Sequence, residues 1–177
     1  MIMKREQRQV AVRSFLVPLS VSGYPKSFVC LFSQNQIVEF IESCFIHPIP
    51  RSPNYLRGVL WHHDNLLPVI DLDELCNPHP SVPLSAVQEN RYRQFVVVRT
   101  GAVDPETGMP LKAIIAAKDR VRIARLSGKA LEDTFEQQTP PPSLIQSGLV
   151  RGCFRHEDDS ILLLDLGPVV QGAYTSA

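Results

Sequence analysis

Three consecutive side chains, His62, His63 and Asp64, form the densest group of potential ligands in this 177-residue chain. Two imidazoles and a carboxylate could hold a transition metal or act as a pH-responsive contact. Adjacent residues of a strand point to opposite faces, however, so His62 and His63 are not expected to share one ion. The reading favoured over metal is a solvated hairpin tip, with His63 and Asp64 available to touch a partner. Asp71 and Asp165 could be proposed as a catalytic carboxylate pair. Each instead closes an apolar strand and precedes a short helical segment, so an N-cap role accounts for both. The four cysteines, Cys30, Cys44, Cys76 and Cys153, lie far apart and within apolar surroundings. None has the close spacing of a metal or redox motif, and they read as small hydrophobes. No phosphate-binding glycine loop, nucleophile elbow or zinc-protease helix motif is present in the sequence. An enzyme hypothesis therefore has no residues to name, and the chain reads as non-enzymatic with no cofactor.

Five further residues are candidates for contact with another protein. Arg57 and Arg151 each precede a glycine, in pairs that mark a bulge or a close backbone approach, and their side chains could snorkel or reach a partner. Glu39 and Glu42 read as solvated charge that could sit on the rim of an interface. Trp61 is the only tryptophan. Core packing is its default, and exposure would make it an anchor.

The elements that must position these residues are short. Fifteen prolines are spread along the chain and exclude long helices from most of it. Between them lie segments rich in Val, Ile, Leu and Phe: 14–19, 28–32, 58–62, 66–70, 94–99, 111–117, 120–126, 150–155 and 160–164. Short strands bounded by Gly, Pro, Asn and Asp predict an all-β chain. Asp104-Pro105-Glu106-Thr107-Gly108 reads as a reverse turn, and Asp64-Asn65 as a tight hairpin turn. Short helices are expected after Asp71 and over 128–137. Residues 77–90, with three prolines, read as a linker between a first unit at 14–76 and a second at 91–177; residues 1–13 read as a flexible lead-in.

The most specific feature is a repeat. Residues 56–72 align without gaps to 150–166 at a constant offset of 94, Gly58 onto Gly152 and Asp71 onto Asp165. Both copies read Arg-Gly, strand, polar turn, apolar strand, Asp-Leu. Upstream, residues 28–31 and 35–38 match 113–116 and 119–122 more weakly, at an offset of about 84. Two copies of this length imply duplicated small barrels packed on each other, since one alone buries little surface.

At these motifs the chain resembles the CheW-like domain family. The stretch from Ile46-His47-Pro48-Ile49-Pro50 through Arg57-Gly58-Val59-Leu60 to Pro68-Val69-Ile70-Asp71-Leu72 is similar to that family's signature. Ile37-Val38-Glu39-Phe40-Ile41 resembles its Val-x-Glu-Val element, and 150–166 its C-terminal hairpin. The resemblance implies two five-stranded SH3-like barrels around a shared apolar core. It also implies an adaptor of a bacterial chemosensory two-component pathway, linking a chemoreceptor's cytoplasmic tip to the regulatory domain of a CheA-type histidine kinase. Receptor contacts would lie in the groove between barrels and kinase contacts on exposed edges and turns. Where the family has Leu-Arg-Gly in the first hairpin turn, this chain has His62-His63-Asp64. The arginine that typically pairs with an upstream glutamate is thus replaced, a departure that resembles auxiliary adaptors, including those of type IV pilus twitching systems.

Charge agrees with protein partners. Lys plus Arg and Asp plus Glu number 18 each, so no long-range field would hold nucleic acid or an anionic membrane. No apolar run reaches the roughly 18 residues of a membrane span, and no secretion signal is read at the start, so the expected location is the cytoplasm, with recruitment to receptor arrays. Other CheW-like domains are further expected partners, through exposed edge strands. The alternative is an SH3-like module binding peptides outside chemotaxis, which would call for Tyr55, Trp61 and Tyr92 to share an exposed groove.

Overall fold

β-branched and aromatic side chains pack well on a pleated surface, and the proline spacing leaves room for little else. The computed structural model, which describes residues 11–24, 27–77, 91–127 and 136–174, accordingly consists of short strands. They are β1 (Ala11–Leu19), β2 (Phe28–Ser33), β3 (Ile37–Ile41), β4 (Leu56–His62), β5 (Asn65–Asp71), β6 (Gln94–Val103), β7 (Pro110–Ala117), β8 (Arg122–Ser127), β9 (Glu136–Gln137), β10 (Val150–His156) and β11 (Asp159–Leu164). Among the described residues there are three short helices, α1 (Leu72–Cys76), α2 (Pro142–Gln146) and α3 (Gly167–Val170), in chain order. Among the described residues no helix is long and apolar enough to cross a membrane.

All nine segments expected to be strands are strands, and the fold is all-β. The Asp104 turn forms as expected: Gly108 N–H donates to Asp104 O at 2.8 Å with Gly108 at φ +68°. Three expectations are corrected. Residues 11–13 are part of β1, in register with β8 through Ala11↔Ser127 and Arg13↔Arg125, so the lead-in does not extend to residue 13. Glu136 and Gln137 pair with β10 as a strand, not a helix, because Phe154 and Arg155 offer them an open sheet edge; the rest of the helix expected over 128–137, and the linker from 78 to 90, lie outside the described residues. The first hairpin turn is His63-Asp64 and not Asp64-Asn65, since Asn65 already pairs with His62.

The strands form two sheets, one in the order β8-β1-β2-β11-β10-β9 and one in the order β3-β6-β7-β5-β4. Neither sheet comes from one half of the chain. Hairpin β1–β2 runs beside β10–β11 through the parallel pair β2/β11, and β6–β7 beside β4–β5 through the parallel pair β7/β5. The third strand of each repeat crosses too: β3 lies on β6, and β8 on β1. The two copies thus exchange elements reciprocally, and the segments 14–76 and 91–177 do not each supply a sheet of their own.

This exchange places apolar layers on both faces of the central strands. One core lies between the sheets, where Phe15, Val17, Cys30 and Phe32 meet Ile70, Val96, Val98, Ala113 and Ile115. The opposite faces of β6 and β7 carry Val97, Ile114 and Ala116 into a second core with Leu60, Leu67 and Val69. A smaller third core joins Leu16, Val29 and Ile161. Strands covered on both sides lose polar alternation, which is why these segments read as unbroken apolar runs. Each fully buried Val or Ile contributes about 1.5–3 kcal/mol of transfer free energy.

Candidate functional site

The five-stranded sheet ends in β3 on one side and β4 on the other, and its curl brings these ends together. His47 makes the bridge: its N–H donates to Val59 O at 2.8 Å and its carbonyl accepts from Val59 N–H at 2.9 Å. The approach requires a residue without a side chain opposite. Gly58 sits at φ +142°, and a Cβ there would collide with the His47 carbonyl. The register slips between Leu56 and Gly58, and again between Val150 and Gly152, so both Arg-Gly pairs are bulges as their sequence suggests.

Above that bridge the hairpin β4–β5 turns through His63 and Asp64, both left-handed at φ +43° and +61°. Two such residues in a two-residue turn match the right-handed twist of the flanking strands. The turn also overturns the expectation that His62 and His63 face apart, because strand alternation ends where the chain reverses. Their rings meet edge-to-face at 4.2 Å. Nε2 of His62 lies 2.9 Å, and Nε2 of His63 3.2 Å, from Oε2 of Glu39 on β3. Hydrogen bonding from His62 first, then His63, holds the Glu39 carboxyl below its ordinary range. The glutamate therefore keeps hydrogen-bonding partners, with the histidines standing where an arginine was expected. Asp64 is exposed at the tip beside them, and Glu42, just past β3, is also exposed.

Trp61 departs from the core-packing default: 65% of it is exposed, and its register partner Leu66 is 55% exposed. Phe45, equally open, stacks edge-to-face on His47 at 4.8 Å and lines the same recess as Trp61, Cys44 and the two histidines. An exposed Trp with neighbouring Leu and Phe is the composition of an interface anchor. Leu66 could have been found from the sequence once the two-residue turn was located, since the register then sets it opposite Trp61. Phe45 could not, because it sits in an irregular segment.

Other candidates have internal roles. Arg57 is buried, with its guanidinium 6.0 Å from the centre of the Tyr92 ring, so it packs inside the barrel. Asp71 is 1% exposed. Its carboxylate accepts from the N–H groups of Asp73 and Glu74 at the start of α1 and from the Tyr92 hydroxyl at 2.7 Å, with Lys118 Nζ at 3.5 Å. The cap expected for Asp71 is present. Desolvation, then the charge of Asp71, pushes the Tyr92 hydroxyl far above its usual range. Asp165 is not an N-cap: Leu166 holds that position, and the Asp165 carboxylate instead takes the Gly167 N–H at 2.9 Å and the exposed guanidinium of Arg151 at 2.5 Å. Hydrogen bonding from Arg151 keeps that carboxyl below its ordinary range. The two carboxylates are thus committed to separate partners and do not form a catalytic pair. Tyr55 and Tyr92 are buried while Trp61 is open, so these three aromatics do not share an exposed groove. Cys30, Cys76 and Cys153 are buried. Desolvation raises the Cys30 and Cys153 thiols and pushes Cys76 up to about 12, which leaves them inert.

Comparison with known proteins gives a consistent picture. A family model described as CheW-like domain matches residues 29–173. A solved structure, the scaffolding protein TtCheW from Thermoanaerobacter tengcongensis, is 16% identical with a TM-score of 0.57 over 95% of this chain and 98% of that one. At that identity the likeness speaks for the fold, two SH3-like barrels. Among curated proteins none matches.

Proposed function

The chain belongs to the CheW-like domain family, and on that premise we propose that it is a non-enzymatic adaptor of a bacterial chemosensory pathway, coupling chemoreceptors to a CheA-type histidine kinase in chemotaxis or twitching motility. The observation that carries this reading is the family match across residues 29–173 on a fold whose seam between sheets is filled by apolar side chains. Apolar side chains pack the centre of that seam, and the open side of the first barrel offers Trp61, Leu66 and Phe45 to a protein. His63, Asp64, Glu39 and Glu42 form the polar rim of that face, and Arg151 is an exposed cation on the other barrel. The kinase regulatory domain and the receptor tip are the proposed partners, with other CheW-like domains as a further one, and the cytoplasm beneath a receptor array is the proposed location.

Calorimetry of the full chain against the regulatory domain of the CheA-type kinase from the same genome tests this. A variant carrying His63→Arg and Asp64→Gly is run beside the wild type. Micromolar binding by the wild type is expected, weakened at least tenfold by Trp61→Ala. Binding by the double variant alone would mean that kinase coupling has been lost in this chain. Binding by neither, to kinase or receptor tip, would remove the adaptor reading.

A further inference from the structure

From the convergence of Glu39, His62 and His63 we infer a binding site for a divalent transition-metal cation of the Zn²⁺ and Co²⁺ class, at the closure of the first barrel. These are the one group of three His, Cys, Asp or Glu residues among the described residues whose ligand atoms lie together, all within 4.8 Å of one another. The two imidazole nitrogens are 2.9 and 3.2 Å from the same carboxylate oxygen. A tetrahedral ion with ligands at 2.0–2.1 Å needs them about 3.3 Å apart, so the two short separations already suit it. The remaining adjustment falls on His63, whose side chain is 77% exposed and free to swing, while His62 at 11% is held by the strand.

The donor chemistry is that of a borderline cation: two imidazoles and one carboxylate, with further positions open to solvent. The electrostatics suit a dication. The recess beside the three ligands is lined by Ile41, Ser43, Cys44, Phe45, His47, Leu60 and Trp61, without a Lys or Arg to repel it. The ligands come from β3 and from the end of β4 with its turn, at the two ends of one sheet, so the ion would clamp the barrel shut across its seam. The second copy of the repeat supplies an internal control. There the positions matching His62 and His63 are His156, the last residue of β10, and Glu157 in the turn, and the position matching Glu39 is Ile123, exposed and without a donor.

The test uses the full chain, stripped with chelator and then titrated with Zn²⁺ by calorimetry and with Co²⁺ by visible absorption. One ion per chain is expected, with a cobalt ligand-field spectrum of reduced coordination number, and Zn²⁺ should raise the melting temperature in proportion to the logarithm of its concentration. His63→Gln, at an exposed position, should keep the fold and weaken binding at least tenfold; Glu39→Gln should do likewise. His156→Gln should leave binding within twofold. Absence of saturable binding below millimolar Zn²⁺ would overturn the site, as would affinity that survives His63→Gln and Glu39→Gln together. Binding lost in His156→Gln would assign the ion elsewhere and overturn it equally. None of these readouts depends on a kinase or receptor.

Discussion

The hairpins β4–β5 and β10–β11 share a register, a bulge and a closing Asp-Leu, yet their arginine and aspartate serve opposite ends. In β10–β11 Arg151 reaches Asp165 directly, an ion pair on the surface with the guanidinium 64% exposed. In β4–β5 the same two positions turn inward: Arg57 packs over Tyr92, and Tyr92 in turn donates to the buried Asp71. Tyr92 touches both members of the pair in one barrel, whereas in the other the two side chains meet directly. The glycines differ likewise. Gly58 faces the backbone of His47, whereas a Cβ at Gly152 would meet the ring of Phe154 at 2.6 Å. A backbone cannot yield and a ring can turn. The comparison teaches that a repeated motif preserves backbone geometry, while the neighbours it meets decide which copy is structural and which stays at the surface.

Substitutions that separate the copies follow from this, and the glycines should show the widest gap. Gly58→Ala should destabilise by about 3 kcal/mol or more, combining left-handed strain with a backbone collision. Gly152→Ala should cost about 1 kcal/mol, since its φ is ordinary and only a ring must move. Urea unfolding midpoints at unchanged slope would measure both, and equal losses would break the contrast. Next, Tyr92→Phe should cost about 1–3 kcal/mol by leaving a buried carboxylate oxygen short of a donor. A loss indistinguishable from zero would mean that Lys118 or water takes over.

The smallest effect belongs to the surface pair. Asp165→Asn should cost less than about 1 kcal/mol at neutral pH, as exposed ion pairs do. Its sign with pH is defined. The Asp165 carboxyl is depressed in the folded state, so its contribution is complete above the ordinary carboxylate range and is lost as pH falls through the depressed value. The Asn variant should therefore converge with the wild type in acid, and a difference that grows on acidification would refute the assignment.

Much of the site could be read before any coordinates. The Arg-Gly bulges, the hairpin and the α1 cap at Asp71 follow from local chemistry: glycine tolerance, turn propensity and a carboxylate one turn before free N–H groups. The convergence of His62 and His63 on Glu39 was beyond reach by strand alternation, because a left-handed turn breaks the period of two at the residue that matters. Arg57 and Arg151 look alike in sequence, and only their surroundings reveal that one is buried.

By itself the sequence determined nine of the eleven strands described, the two copies and the reverse turn at Asp104, since propensity, proline and glycine act over a few residues; it did not mark β3 or β9 as strands. Which strands share a sheet was decided by the tertiary structure alone. Backbone hydrogen bonds do not distinguish one apolar strand from another, so β1–β2 could pair with either copy's Arg-Gly hairpin on local grounds. The reciprocal exchange covers both faces of β2, β6 and β7 with side chains, and that burial is a property of the whole chain. The same closure carries β3 to β4 and sets Glu39 against the two histidines, although 23 residues separate Glu39 from His62 in the sequence.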